Sequence, residues 1–112
     1  MTMATIVITI RLDGAGPGIT LNDGVSNGPD IRTFVSNGDT IKWKLIPNSG
    51  ITSLDGINDT GADIFNPNPT PQRDGSLQGT ISAAPGTLET YLVVYTLNGI
   101  KYNHDPSIQV HQ

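Results

Sequence analysis

Residues 37–45 read NGDTIKWKL, and the strict alternation in this run constrains the chain more than any other feature. An Asn-Gly turn signal opens it. Ile41, Trp43 and Leu45 then fall on one side, with Thr40, Lys42 and Lys44 on the other. Successive side chains of a β-strand point to opposite faces, so a period of two means one buried face and one wet face. Trp43 is the only tryptophan. Its phase with Ile41 and Leu45 favours a core position over the other role an exposed tryptophan can play, a platform for a sugar ring.

The same period recurs along the chain. Residues 5–12 alternate Ile6, Ile8, Ile10 and Leu12 against Thr5, Val7, Thr9 and Arg11. This set is rich in the β-branched residues that suit a pleated surface. Residues 13–18 (DGAGPG) break it, and 19–21 give a short strand before the turn signals at 22–24 and 27–29. Residues 31–35 place Ile31, Thr33 and Val35 on one face, and 39–46 form the central strand. A short strand is expected at 51–54 and an acidic loop at 55–63, after which Ile64 and Phe65 tuck into the core. Prolines at 67, 69 and 71 force an extended surface path through 66–75. Strands are expected at 77–82 and at 89–97, the most apolar of all. Asn98-Gly99 is a type I′ hairpin signal, followed by strands at 100–102 and 107–111.

No stretch carries a helical period. Seven to nine short strands separated by turns, in 112 residues, read as one all-β domain of the β-sandwich class. Aromatic residues make up only 5% of the chain, so the core must be mostly Ile, Leu and Val. Trp43, Phe34, Phe65, Tyr91, Tyr95 and Tyr102 are its expected anchors.

The charge excludes several functions. A net charge of −4 with six scattered basic residues offers little counterion release on a phosphate backbone, and equally little hold on an anionic membrane. No apolar run reaches the length of a transmembrane helix. The absence of cysteine removes disulfides, thiolate nucleophiles and iron–sulfur clusters. The first residues do not read as a secretory signal, which leaves a cytoplasmic location as the expectation unless a leader has been removed.

Catalysis has no sequence support. There is no G-x-S-x-G elbow, and Glu89 is the only glutamate. The acidic stretch Asp55, Asn58, Asp59 and Asp63 offers the oxygen ligands that calcium prefers, but lacks the EF-hand order, so a solvated turn is the better reading. Asn22, Asp23 and Asp30 form a weaker set of the same kind. His104 and His111, with Asp105, are the only other metal-ligand candidates. No catalytic residue and no cofactor is expected, with calcium the single option.

The order GDTIKWKL followed later by APGTLETYLVVYTLNGIKYNHDPSIQV resembles the cupredoxins, Greek-key β-sandwiches that carry blue copper. Gly38-Asp39-Thr40-Ile41-Lys42-Trp43 is similar to their Gly-Asp-Thr-hydrophobic-x-Trp strand. Gly86, Tyr91 and Tyr95 resemble their tyrosine-rich strand, and Ile108-Gln109-Val110 their closing one. The resemblance implies a Greek-key sandwich, with an immunoglobulin-like sandwich as its rival. It does not imply copper. The family takes its first His after the Trp strand, where this chain has Pro47-Asn48-Ser49-Gly50, and a Cys after the tyrosine-rich strand, where this chain has Thr96-Leu97. A cupredoxin-like scaffold without electron transfer is therefore expected to act as a non-catalytic binding, structural or self-assembly module, using a loop end or an edge strand on a protein partner. A lectin-like carbohydrate-binding domain, with or without calcium at residues 55–63, is the alternative. A small hydrolase ranks below both.

Overall fold

The structure is a computed structural model that describes residues 4–14, 18–61, 63–66 and 68–111. The expected break at 15–17, Ala62 and Pro67 lie outside the described residues. The chain forms β1 (Thr5–Leu12), β2 (Ile19–Asn22), β3 (Asn27–Gly28), β4 (Arg32–Val35), β5 (Thr40–Leu45) and β6 (Ser53–Asp59). It continues with β7 (Thr70–Pro71), β8 (Leu77–Thr80), β9 (Leu88–Leu97), β10 (Ile100–His104) and β11 (Ser107–Val110). No helix occurs among the described residues. The all-β sandwich read from the alternation is what the chain forms.

One sheet runs β3-β2-β1-β5-β8-β7, with β1 and β5 parallel and its other pairs antiparallel. The second sheet is organised around β9. Ile100 to His104 pair with Leu97 back to Val93, and Ser107 to Gln109 pair with Thr90 back to Leu88. No residue is gained or lost between the two ladders, and the Tyr91 N–H bonds to the Pro106 carbonyl between them (3.0 Å). β10 and β11 are thus one long arm of a hairpin, interrupted at Asp105-Pro106. Asn98 (φ 52°) and Gly99 (φ 81°) make its tip, both in the left-handed region a type I′ turn requires. β6 lies on the opposite edge of β9, and β4 runs parallel to β11 on the far side of the hairpin.

The chain crosses repeatedly between the sheets: β1–β3 in the first, β4 in the second, β5 in the first, β6 in the second, β7–β8 in the first, β9–β11 in the second. Inward residues of both sheets form a single cluster, including Ile8, Ile10, Ile41, Val35, Val93 and Ile108. Trp43 sits at its centre with no exposure. Its Nε1–H donates to the Tyr91 hydroxyl (3.1 Å), tying β5 of one sheet to β9 of the other. Phe65 packs edge-on against both rings at centroid distances of 5.5 and 6.5 Å. Burial raises the Tyr91 hydroxyl pKa, so it stays protonated and available as donor and acceptor.

The Gly38-Asp39 stretch has a structural role. The buried Asp39 carboxylate accepts the N–H groups of Ala4 (3.0 Å) and Ser36 (2.8 Å). It staples the start of β1 to the turn that launches β5, setting the parallel pair in register.

Four expectations need correction. Phe34 is not a core anchor: it is 54% exposed, because Ile31, Thr33 and Val35 take the inward phase and leave it outside. Residues 55–63 are not a loop throughout: up to Asp59 they belong to β6, where pairing with β9 across a bulge between Leu54 and Gly56 overrides a Gly- and Asp-rich composition. The short strand expected at 51–54 starts at Ser53 and runs on. The proline segment does not merely cross the surface, since Thr70 and Pro71 pair with Gln78 and Leu77 as an edge strand. Pro69 lies over Gly79 so closely that an added Cβ would stand 2.9 Å from the ring and 3.0 Å from its backbone nitrogen. That close approach explains a glycine inside β8.

Candidate functional site

The residues singled out from the sequence do not converge. Asp55 and Asp59 stand at opposite parts of β6, about 13 Å apart at the rise of an extended strand. Asp55 accepts hydrogen bonds from the hydroxyls of Thr96 and Ser53, which lower its pKa. Asn58 points to solvent. Asp59 is partly buried beside Asp63. Burial is the main cause that raises its pKa to about 6, with the Asp63 hydrogen bond and charge adding to it; the Ile64 N–H acts the other way and Glu89 adds a smaller push. One oxygen of Asp59, Oδ1, is buried with no partner among the described residues.

The second acidic set is spent on turns. Asn22 accepts the Gly24 N–H, and Asp23 accepts those of Val25 and Ser26. Asp23 also accepts the Thr33 hydroxyl (2.8 Å), clamping the β2–β3 turn to β4. Asp30 is exposed in the turn after β3. His104 contacts the Pro29 carbonyl, while His111 stacks on Phe34 at 5.9 Å. Seven residues of extended chain hold these imidazoles about 23 Å apart. Among the described residues no three His, Asp or Glu side chains are grouped as metal ligands.

The positions where the resemblance to cupredoxins implies copper ligands carry other side chains. Asn48 occupies a left-handed turn (φ 61°), and the buried Ser49 hydroxyl accepts the Ile51 N–H (3.2 Å). Thr96 is bonded to Asp55, and Leu97 leads into the hairpin. These side chains do not fit a type 1 copper ion.

What distinguishes the surface is the state of its sheet edges. An open edge is a row of unpaired N–H and C=O groups, ready for another strand unless it is guarded. In the first sheet, β3 is two residues long and runs into Pro29, and β7 is two residues long and contains Pro71. Proline has no N–H to give, and short edges offer little to pair with. In the second sheet, β6 carries a bulge and the acids Asp55 and Asp59, and β10, which pairs only with β9 among the described residues, carries Lys101 on its open edge. Bulges and charges are both devices that deter pairing.

β4 has neither proline, bulge nor acid. Its parallel ladder to β11 uses alternate residues: Ser107 donates to the Ile31 carbonyl and His111 to that of Val35. The N–H and C=O groups of Arg32 and Phe34 therefore point to the open side, where no strand pairs with them among the described residues. Beside this edge lies a mainly apolar cleft of about 100 Å³ lined by Ile6, Val25, Ser26, Arg32, Thr33 and Phe34, with the Asp23 carboxylate that holds Thr33 at its wall. Val25 is 94% exposed there. The edge thus combines free main-chain groups with apolar surface.

The sequence places a strand at 31–35 but does not show that it is an edge. Phe34 was the available signal: an aromatic residue out of phase with Ile31, Thr33 and Val35 must face outward. No protein-family model matches the chain, and no curated protein matches it.

Proposed function

We propose that this chain is a non-catalytic binding and assembly module, a Greek-key sandwich of the cupredoxin kind without copper, that takes an extended strand from a protein partner onto β4. The observation that carries the reading is the contrast between edges. Among the described residues β3, β7 and β6 are guarded by proline, shortness, or a bulge with acids, and β10, unpaired on its outer side, carries Lys101; β4 is the open edge that has a mainly apolar cleft beside it. Strand addition draws affinity from main-chain hydrogen bonds and specificity from pockets for alternate side chains. Arg32 and Phe34 supply the first and the cleft the second. The repeated crossing of the chain between two sheets, and the Gly-Asp staple ahead of the Trp strand, support the cupredoxin-like scaffold.

The test uses Phe34→Pro. The Phe34 N–H takes no part in the β4–β11 ladder, so removing it leaves that ladder intact and blocks an incoming strand. Phe34→Lys guards the edge by charge should the proline variant fold poorly. A panel of Val-, Thr- and Tyr-rich heptapeptides is titrated into the protein and followed by amide NMR. Peptides that bind should shift the Arg32 and Phe34 amides and lose their effect on both variants. Binding that moves β6 or β3 amides instead, or that survives both substitutions, overturns the reading.

The carbohydrate alternative draws support from a different place than residues 55–63. Thr9, Arg11, Thr20, Asn22 and Asn27 surround an open hollow of about 300 Å³ on the wet face of the first sheet. Such a set of hydroxyls, amides and one guanidinium suits an acidic sugar. Binding of a uronic acid oligosaccharide that Arg11→Ala abolishes would favour it over strand addition.

A further inference from the structure

β4 carries its own complement. Arg32 and Phe34 lie two apart, both on the outer face, and both turn their N–H and C=O groups to the open side. Two copies of this strand brought together antiparallel about a two-fold axis through Thr33 place Arg32 opposite Phe34 of the partner subunit, and Phe34 opposite Arg32 of the partner subunit. In an antiparallel ladder, directly opposite residues alternate between those that exchange both main-chain bonds and those that exchange none. The residues with free groups are Arg32 and Phe34, so this register satisfies them all at once. Shifting the axis to Phe34 puts Arg32 opposite Ser36, whose N–H is already given to Asp39. Shifting it to Arg32 sets two guanidinium groups against each other.

We propose that the partner strand is β4 of a second copy, so that the chain forms a two-fold dimer in which the second sheets of both molecules join through reciprocal Arg32–Phe34 pairs.

This rests on the edge reading above and names its partner. Each pair sets a guanidinium beside an aromatic ring, an arrangement attractive through the ring quadrupole. One face of Phe34 is already backed by His111, which holds the ring in place. Both copies offer the same patch to each other, as a two-fold interface demands, and no two guanidinium groups meet, while the Asp23 carboxylates, each held by Thr33 near the axis, weaken the contact. The contact is small. A four-residue strand with Val25 and Ile6 beside it falls short of the roughly 800 Å² per partner of a standard stable interface. The dimer should therefore be weak and visible only at high protein concentration.

The natural chain contains no cysteine, which makes the register directly testable. Arg32→Cys and Phe34→Cys are purified separately, then oxidised with diamide alone and as an equimolar mixture. In the proposed register the two introduced thiols face each other with Cα atoms about 5.5 Å apart, inside the range a disulfide spans. Identical positions are diagonal, at about 7–8 Å, and reach each other poorly. The mixed dimer keeps one Phe34–Arg32 pair intact. The mixture should cross-link several-fold faster than either variant alone, and the product should contain one chain of each kind by mass.

Equal rates for the mixture and either single variant overturn the register. A natural chain that stays monomeric in sedimentation equilibrium at the highest soluble concentration, with no cross-linking of the mixture, overturns self-pairing. In that case heptapeptide binding that Phe34→Pro abolishes would show that the edge reading itself survives. Loss of both together removes it.

Discussion

The Trp43–Tyr91 hydrogen bond is a measurable joint between the two sheets. Both side chains are wholly buried, so neither polar group has water as a substitute partner. Tyr91→Phe keeps the ring and its edge contacts but leaves the indole N–H without an acceptor, at a cost of about 2 kcal/mol. Trp43→Phe leaves the Tyr91 hydroxyl without its donor, a similar cost. It also removes about 40 Å³ of side chain, worth about 1 kcal/mol of cavity, so the total is about 3 kcal/mol. Independent effects would sum to about 5 kcal/mol in the double variant. Because the double variant has no orphaned polar group, it should lose only about 2 kcal/mol, a coupling of about 3 kcal/mol, at the upper end for residues in contact. Urea unfolding followed by far-ultraviolet circular dichroism measures all four proteins, which fluorescence cannot do, since Trp43 is the only tryptophan. The melting temperature of the double variant should lie above that of Trp43→Phe alone. A double variant whose loss equals the sum of the singles within about 0.5 kcal/mol would refute the bond. It would also loosen the link that holds β9, and through its hairpin β4, against the first sheet.

Two further predictions concern the scaffold. Asp59 has its pKa raised from 3.8 to about 6, so between those values the folded state holds a proton that the unfolded state has released. Stability therefore falls as pH rises from about 4 to 6. Asp59→Asn should flatten that slope and raise stability at pH 7 by about 1 kcal/mol, allowing for solvent screening, in chemical denaturation across that range. Gly79→Ala forces its Cβ against the Pro69 backbone and should cost about 1–3 kcal/mol in thermal melts; a neutral effect would mean that the proline segment does not lie over β8.

Alternation made much of the fold legible. It placed β1, β5 and β9, put Trp43 in the core, and found the Asn98-Gly99 hairpin, because each depends only on neighbours in sequence. β6 was hidden because its Asp and Gly residues disfavour strands locally, and only the ladder to β9 holds it extended. Phe34 was misjudged where size was given more weight than phase. The candidate site was not legible at all. An edge exists only once strand order is known, and β4 finds its single neighbour in β11, at the other end of the chain. The guards on the other edges are visible in sequence as proline and aspartate, but their meaning depends on the same topology.

The most direct test of β4 as the open edge is hydrogen exchange of its four amides, read individually by NMR. In dilute protein the amides of Thr33 and Val35, which face β11, should be protected, while those of Arg32 and Phe34 exchange freely. Raising the protein concentration should slow exchange at Arg32 and Phe34 and leave the β6 and β3 edge amides unchanged. Arg32 and Phe34 amides protected at every dilution, or free at every concentration and with every strand peptide, would contradict the account.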